Sequence, residues 1–191
     1  MARKTLSFGI AVAMLGAGAL VPGAFAGGST DGGSADKARG AIGLGAFHIR
    51  GSMGDDDYKI TTADNGRFVL MSRGGPITPI SPPDGCRVDD ARTVSCNEGR
   101  VRAVVARLKR GRDTFVATAR IRFPTFVIGG AQQDRLIGGR GNDMLRGRLG
   151  GDRLVGNRGE DRLIGGEGRD VLVADGDDRV VGGPGNDLVI R

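Results

Sequence analysis

The sequence predicts an all-β fold, a right-handed parallel β-roll or β-helix solenoid, with an irregular β N-terminal part that belongs to the same coil. Three observations predict it. An aspartate recurs at Asp134, Asp143, Asp152, Asp161, Asp170, Asp178 and Asp187, in steps of nine residues broken by one step of eight. An aliphatic residue follows each aspartate at the second position, as Leu136, Leu145, Leu154, Leu163, Leu172, Val180 and Val189. Glycine accounts for 36 of 191 residues, with no tryptophan and one tyrosine. So few aromatics cannot fill an ordinary globular core, whereas abundant glycine allows tight turns. A nine-residue period is too short for a helical hairpin and suits a turn plus a very short strand.

The elements follow in chain order. Arg3 and Lys4 precede an apolar run from Leu6 to Val21, Pro22 breaks it, and Ala24-Phe25-Ala26 offers a small-x-small cleavage pattern. That arrangement predicts a cleaved secretory signal over residues 1–26, so the mature chain is expected to be secreted or held at the cell surface, with no transmembrane segment left. Residues 27–45, rich in Gly and Ser, are expected to form a linker. Residues 46–128 are expected to form an irregular β region. Tyr58–Thr62, Arg67–Met71, Val101–Leu108 and Phe115–Ile121 are its clearest runs, separated by turn signals such as Asp64-Asn65-Gly66 and Ser81-Pro82-Pro83-Asp84-Gly85. At period two, Val101, Ala103 and Val105 are expected to share one face, as are Ala119, Ile121 and Phe123. Cys86 and Cys96 flank a polar stretch suited to a hairpin, and in an oxidising compartment they are expected to form one disulfide. Gly54 to Ile60 and Gly111 to Val116 each run glycine, acid, then a β-prone segment, echoing the later repeat. Regular nonapeptides occupy residues 129–191.

Charge is unevenly distributed. Residues 27–128 hold 16 basic and 11 acidic groups, residues 129–191 only 10 against 11. Between residues 100 and 122, Arg100, Arg102, Arg107, Lys109, Arg110, Arg112, Arg120 and Arg122 face a single acid, Asp113. This basic face suits anionic surface polymers, and the scarcity of stacking aromatics argues against specific nucleic-acid recognition. No nucleophile elbow, His-Glu-x-x-His or phosphate-binding loop is present, and His48 is the sole histidine, so an enzyme is not expected.

The repeat itself calls for a cation. Two units make one 18-residue rung, which stacks Asp134 over Asp152, Asp143 over Asp161 and Asp152 over Asp170. Past the short step, Asp161 stacks over Asp178 and Asp170 over Asp187. Parallel rungs lie about 4.8 Å apart, so ladders of carboxylates repel unless something positive lies between them. Calcium, with six to eight oxygen ligands and tolerant geometry, fits better than magnesium.

The best units, Gly138-Gly139-Arg140-Gly141-Asn142-Asp143-Met144-Leu145-Arg146 and Gly182-Gly183-Pro184-Gly185-Asn186-Asp187-Leu188-Val189-Ile190, follow the pattern G-G-x-G-x-D-x-U-x. The chain thereby resembles the hemolysin-type calcium-binding family of RTX nonapeptide repeats. Gly85-Cys86, Thr93-Val94-Ser95-Cys96, Val104 to Leu108 and Gly111-Arg112-Asp113 further resemble the region ahead of such repeats in exported actinobacterial calcium-binding proteins. The resemblance implies a parallel β-roll with Ca2+ between turns. Its ligands would be the carboxylates of Asp134, Asp143, Asp152, Asp161, Asp170, Asp178 and Asp187, with turn carbonyls from Gly139, Gly141, Gly150, Gly159, Gly168, Gly176 and Gly185. The unit with Gln132 at the glycine position is expected to be the weakest site. Arg140, Arg148, Arg158 and Arg169, in or beside the turns, depart from the acidic pattern. They open an alternative, a calcium-independent solenoid held by Arg–Asp pairs whose basic face binds anionic polymers. A polysaccharide-active β-helix enzyme is the remaining reading.

Overall fold

The computed structural model describes residues 45–74, 85–97 and 99–191. The signal, nearly all of the linker and the Ser81–Asp84 turn fall outside these residues. The described chain is an all-β solenoid of parallel stacked coils with about five turns.

The first coil runs through β1 (Ala46–Arg50) and β2 (Asp57–Thr62). An antiparallel excursion then intervenes, made of β3 (Phe68–Ser72), β4 (Cys86–Asp90) and β5 (Thr93–Cys96). The coil resumes with β6 (Ala103–Arg110), β7 (Thr114–Ala117) and β8 (Thr125–Ala131). The repeats supply β9 (Arg135–Ile137), β10 (Met144–Leu149), β11 (Arg153–Val155) and β12 (Arg162–Glu167). They end with β13 (Val171–Val173), β14 (Arg179–Val181) and β15 (Leu188–Ile190).

Two sheets result. One is wholly parallel, in the order β1-β6-β8-β10-β12-β14. The other, β15-β13-β11-β9-β7-β2-β3-β5-β4, is parallel as far as β2 and antiparallel beyond it. The irregular region therefore joins the same coil through β1, β2, β6, β7 and β8, as its sequence echoes suggested. Strands β3, β4 and β5 leave the coil as an antiparallel excursion that the sequence did not lead one to expect.

Register follows the aspartate period. Leu145 lies between Val127 and Leu163 on neighbouring strands, an offset of one 18-residue rung. Across the short step the offset falls to 17, so Leu163 faces Val180 and Leu172 faces Val189. A tighter turn absorbs the missing residue, with the Asp175 N–H donating to Asp178 Oδ2 at 2.8 Å. Pairing side chains of one kind at each level lets every rung bury the same aliphatic position. Leu136, Leu145, Leu154, Leu163 and Leu172 are fully buried. Val180 is half-buried and Val189 is 43% exposed, because β14 and β15 are edge strands. In the earlier rungs Tyr58 and Phe115 take the same inward position, through the pairings of Tyr58 with Phe115 and of Phe115 with Leu136.

The excursion is attached by aromatic packing. Phe68 of β3 lies 5.6 Å from Phe47 of β1 and 5.9 Å from Phe123, ring centre to ring centre. Its outer hairpin pairs Cys86 directly with Cys96, and the two form the expected disulfide.

Two expectations are corrected. The core face of β6 is Val104, Ala106 and Leu108. Ala103 and Val105 share the opposite face as expected, with Ala103 buried and Val105 half-exposed, while Val101 lies ahead of the strand and is buried. The parallel partner decides this, because Ala106 must match Ile49 and Val127. The strand expected to reach Ile121 stops at Ala117, where a turn closed by the Ile121 N–H on the Thr118 carbonyl begins. Ala119 is consequently exposed while Ile121 is buried; Arg120 lies in that turn and Arg122 in the irregular stretch after it.

Candidate metal centre

The turns between the sheets place the aspartates in two columns. In one, the Asp134 N–H donates to Asp152 Oδ1 at 2.8 Å and the Asp152 N–H to Asp170 Oδ1 at 2.8 Å. The Asp170 N–H then donates to Asp187 Oδ1 at 3.0 Å. In the other, Asp143 donates to Asp161 at 2.7 Å, and Asp161 to Asp178 at 2.9 Å. The predicted stacking partners are thus the observed ones, including both pairs across the short step.

Each column continues differently towards the N-terminus. The second ends at Thr125, whose N–H and hydroxyl both donate to Asp143 Oδ1. The first runs on through Asp113, whose N–H donates to Asp134 Oδ1 at 2.9 Å, to Asp56, whose N–H donates to Asp113 Oδ1 at 2.8 Å.

One carboxylate oxygen is thus satisfied by the neighbouring rung. The other often is not. Oδ2 of Asp113, Asp134, Asp152, Asp161 and Asp170 is buried without a hydrogen-bond partner. Asp143 differs, since the Gly139 N–H donates to its Oδ2 at 2.6 Å. Asp178 is likewise supplied by Asp175.

An anionic oxygen in such surroundings is costly, and the proton affinities show it. Burial, opposed by the backbone N–H and reinforced by neighbouring aspartates, pushes Asp134 and Asp161 up to about 7. Burial likewise raises Asp152 to about 6, again reinforced by Asp170, and Asp143 to about 6 against several hydrogen bonds. Asp170 is raised for the same reason.

The first-position glycines make room for these carboxylates. A Cβ on Gly129, Gly138, Gly147, Gly156, Gly165 or Gly182 would collide with the Oδ2 of the aspartate five residues on. The same space lies beside a carbonyl of the next rung, that of Gly147 for Asp134, Gly165 for Asp152 and Gly182 for Asp170. Carboxylate and carbonyl oxygens therefore converge there, the donor set a hard cation takes. Among the described residues no three His, Cys, Asp or Glu side chains form a metal-holding cluster. A bound ion would therefore depend mainly on backbone oxygens beside each carboxylate.

The fourth-position glycines serve close stacking of the turns. Gly150, Gly159, Gly168 and Gly185 have positive φ, and a Cβ on any of them would strike the carbonyl of the residue one rung earlier. Gly141 abuts the Phe123 carbonyl and Gly139 that of Ile121, whereas a Cβ on Gly176 would meet open space. Gln132 also has a positive φ, 78°, against 127° to 150° at Gly150, Gly159, Gly168 and Gly185.

Arg140, Arg148, Arg158 and Arg169 are exposed, and the two ion pairs of the described residues, Arg87–Asp89 and Arg120–Asp64, include none of them. The column aspartates are not neutralised by these arginines.

Sequence reasoning passed over the first-position glycines, and it marked the segments that hold Asp56 and Asp113 as echoes of the repeat without placing these aspartates in a column. The recurrence of glycine five residues ahead of aspartate was the available signal for those glycines. It also marks Gly51 and Asp56.

Residues 126–154, 146–177 and 155–189 match the family defined by four copies of the RTX calcium-binding nonapeptide repeat. Neither the curated proteins nor the solved structures contain a match to the chain.

Proposed function

From residues 126–189, which carry RTX calcium-binding nonapeptide repeats on a β-solenoid, we propose that this is an exported calcium-binding β-roll protein with a structural or adhesive role. The observation that carries the reading is the pair of aspartate columns, with buried Oδ2 atoms that lack partners beside carbonyls of the next rung. Ca2+ placed there would replace repulsion between rungs by shared coordination and so couple ion binding to folding. Export through the N-terminal signal over residues 1–26 belongs to the same proposal, and the Cys86–Cys96 disulfide supports it.

Calcium titration of the mature chain, followed by circular dichroism, tests it. Millimolar calcium is expected to raise β-structure or its melting temperature, because dissociation constants near 10⁻⁴–10⁻³ M suffice outside the cell. Asp161→Asn is expected to weaken binding more than Asp143→Asn, since only Asp161 has an Oδ2 without a donor. Full β-structure in chelator with no response to calcium would reject the proposal.

A second role is supported by the exposed side chains of Arg100, Arg102, Arg107, Lys109, Arg110, Arg112, Arg120 and Arg122. They suit anionic surface polymers. Replacing Arg100, Arg102, Arg107 and Arg122 with Ser is expected to abolish salt-sensitive binding to such a polymer and to leave calcium binding intact. Unchanged polymer binding would count against this role.

A further inference from the structure

The first aspartate column does not stop where the family match begins. Asp113 is 1% exposed, and its Oδ2 has no hydrogen-bond partner. Its Oδ1 accepts the Asp56 N–H, and its own N–H reaches Asp134, so it occupies the column position of the repeat aspartates. The turn above it, Gly51-Ser52-Met53-Gly54-Asp55-Asp56-Asp57-Tyr58, has glycines at the first and fourth places, aspartate at the sixth and a buried side chain at the eighth. Gly111, with φ 124°, lies against the Gly54 carbonyl as Gly150 lies against that of Gln132. A Cβ on Gly51 would strike the Leu108 carbonyl and stand 2.5 Å from Asp56 Oδ2, so a carboxylate again meets a next-rung carbonyl. Asp56 Oδ2 also accepts the Ser52 N–H at 2.7 Å, and Leu108 stands where the repeats have their first-position glycine ahead of Asp113.

We propose that a divalent cation of the calcium class binds at this pre-repeat level, between the turns Gly51–Asp56 and Leu108–Asp113, with Asp113 as its anionic ligand. The site rests on the calcium reading of the repeats and extends it to residues outside their match, which starts at residue 126. The second column cannot be extended in this way, because Thr125 ends it and the buried, apolar Val104 and Phe47 occupy the earlier levels. Around Asp113, Asp55, Asp56 and Asp57 add negative charge. The side chains of Lys109, Arg110 and Arg112 are exposed, and none of them forms an ion pair among the described residues. An orphaned buried carboxylate at a turn lined with carbonyls is the kind of site a hard cation stabilises.

Tyr58, the only tyrosine in a chain without tryptophan, makes the site separately observable. It is buried, lies two residues after Asp56, and pairs across the rungs with Phe115, two residues after Asp113. Terbium(III), a luminescent substitute for calcium at oxygen sites, should therefore emit by transfer from Tyr58 in the mature protein. Calcium should displace that emission.

Asp113→Asn is expected to reduce the emission at least tenfold and to lower the ion count by one, while the circular-dichroism response of the repeats to calcium persists. Tyr58→Phe should abolish the emission and keep the ion count. Calcium binding by the repeats without Tyr58-sensitised emission overturns this site alone, and absence of both overturns the repeat reading as well. Emission that survives Asp113→Asn assigns the ion to the neighbouring Asp134 turn and also overturns the proposal. Should the Asp113→Asn variant fail to fold, Asp134→Asn decides between the two turns: calcium-displaceable emission that persists in it sustains the site, and emission lost with it overturns the proposal.

Discussion

Gly147→Ala will destabilise the coil by about 3 kcal/mol, whereas Gly176→Ala will change it by less than about 0.5 kcal/mol. The family resemblance placed Gly176 among the turn ligands and passed over Gly147, so by sequence alone Gly176 is the more sensitive position. The structure separates them. A methyl group on Gly147 would collide with Asp152 Oδ2 and lie 2.7 Å from the Gly165 carbonyl. Neither can retreat easily, because Asp152 Oδ1 holds the Asp134 N–H at 2.8 Å and Gly165 is part of β12. At Gly176 no heavy atom lies within 4 Å of the added carbon. Urea denaturation in saturating calcium reads the difference. Equal losses at the two positions would show that glycine acts here through chain flexibility and not through space for the carboxylate.

The second large effect is on pH dependence. In chelator, lowering the pH from 8 to about 5 will stabilise the protein, and saturating calcium will reverse that trend. Asp134 and Asp161 are held up at about 7, and Asp143 and Asp152 at about 6, against an ordinary value of 3.8. Burial is the largest cause in each case. Above pH 7 the folded, ion-free coil carries all these charges at full cost. As pH falls through 7 to 6 the folded state takes up protons that the unfolded chain does not yet bind. Stability therefore rises until about pH 4, where the unfolded chain is protonated too. With calcium bound, protons compete for the same oxygens, and acidification releases the ion. Melting temperatures at pH 5 and pH 8 should move in opposite directions in the two conditions, by on the order of 5 °C each. The same trend with and without calcium would separate the aspartates from the ion.

Much of the candidate site was legible because a coil translates sequence period directly into spatial stacking. The nine-residue step and its single contraction were enough to pair Asp161 with Asp178 and Asp170 with Asp187, as the hydrogen bonds do. The buried leucines from Leu136 to Leu172 were legible for the same reason. The middle region was less so. A period of two along Val101 to Val105 is a local signal, and it lost to the cross-rung match of Ala106 with Ile49 and Val127.

The sequence by itself determined the all-β coil, the rung length, the disulfide partners and the residue types that line each column, since these follow from local turn chemistry repeated in register. Tertiary structure decided which carboxylate oxygens are orphaned. Asp143 and Asp161 occupy the same place in their units, yet only Asp143 has a backbone N–H aimed at its Oδ2. It also decided that the column extends to Asp113 and Asp56, across an excursion that separates them by 57 residues in the chain. The physical reason is that solvent exclusion and hydrogen-bond direction depend on the rung above and the rung below. A nonapeptide specifies its own turn, but whether its aspartate is left without a partner depends on the backbone stacked against it.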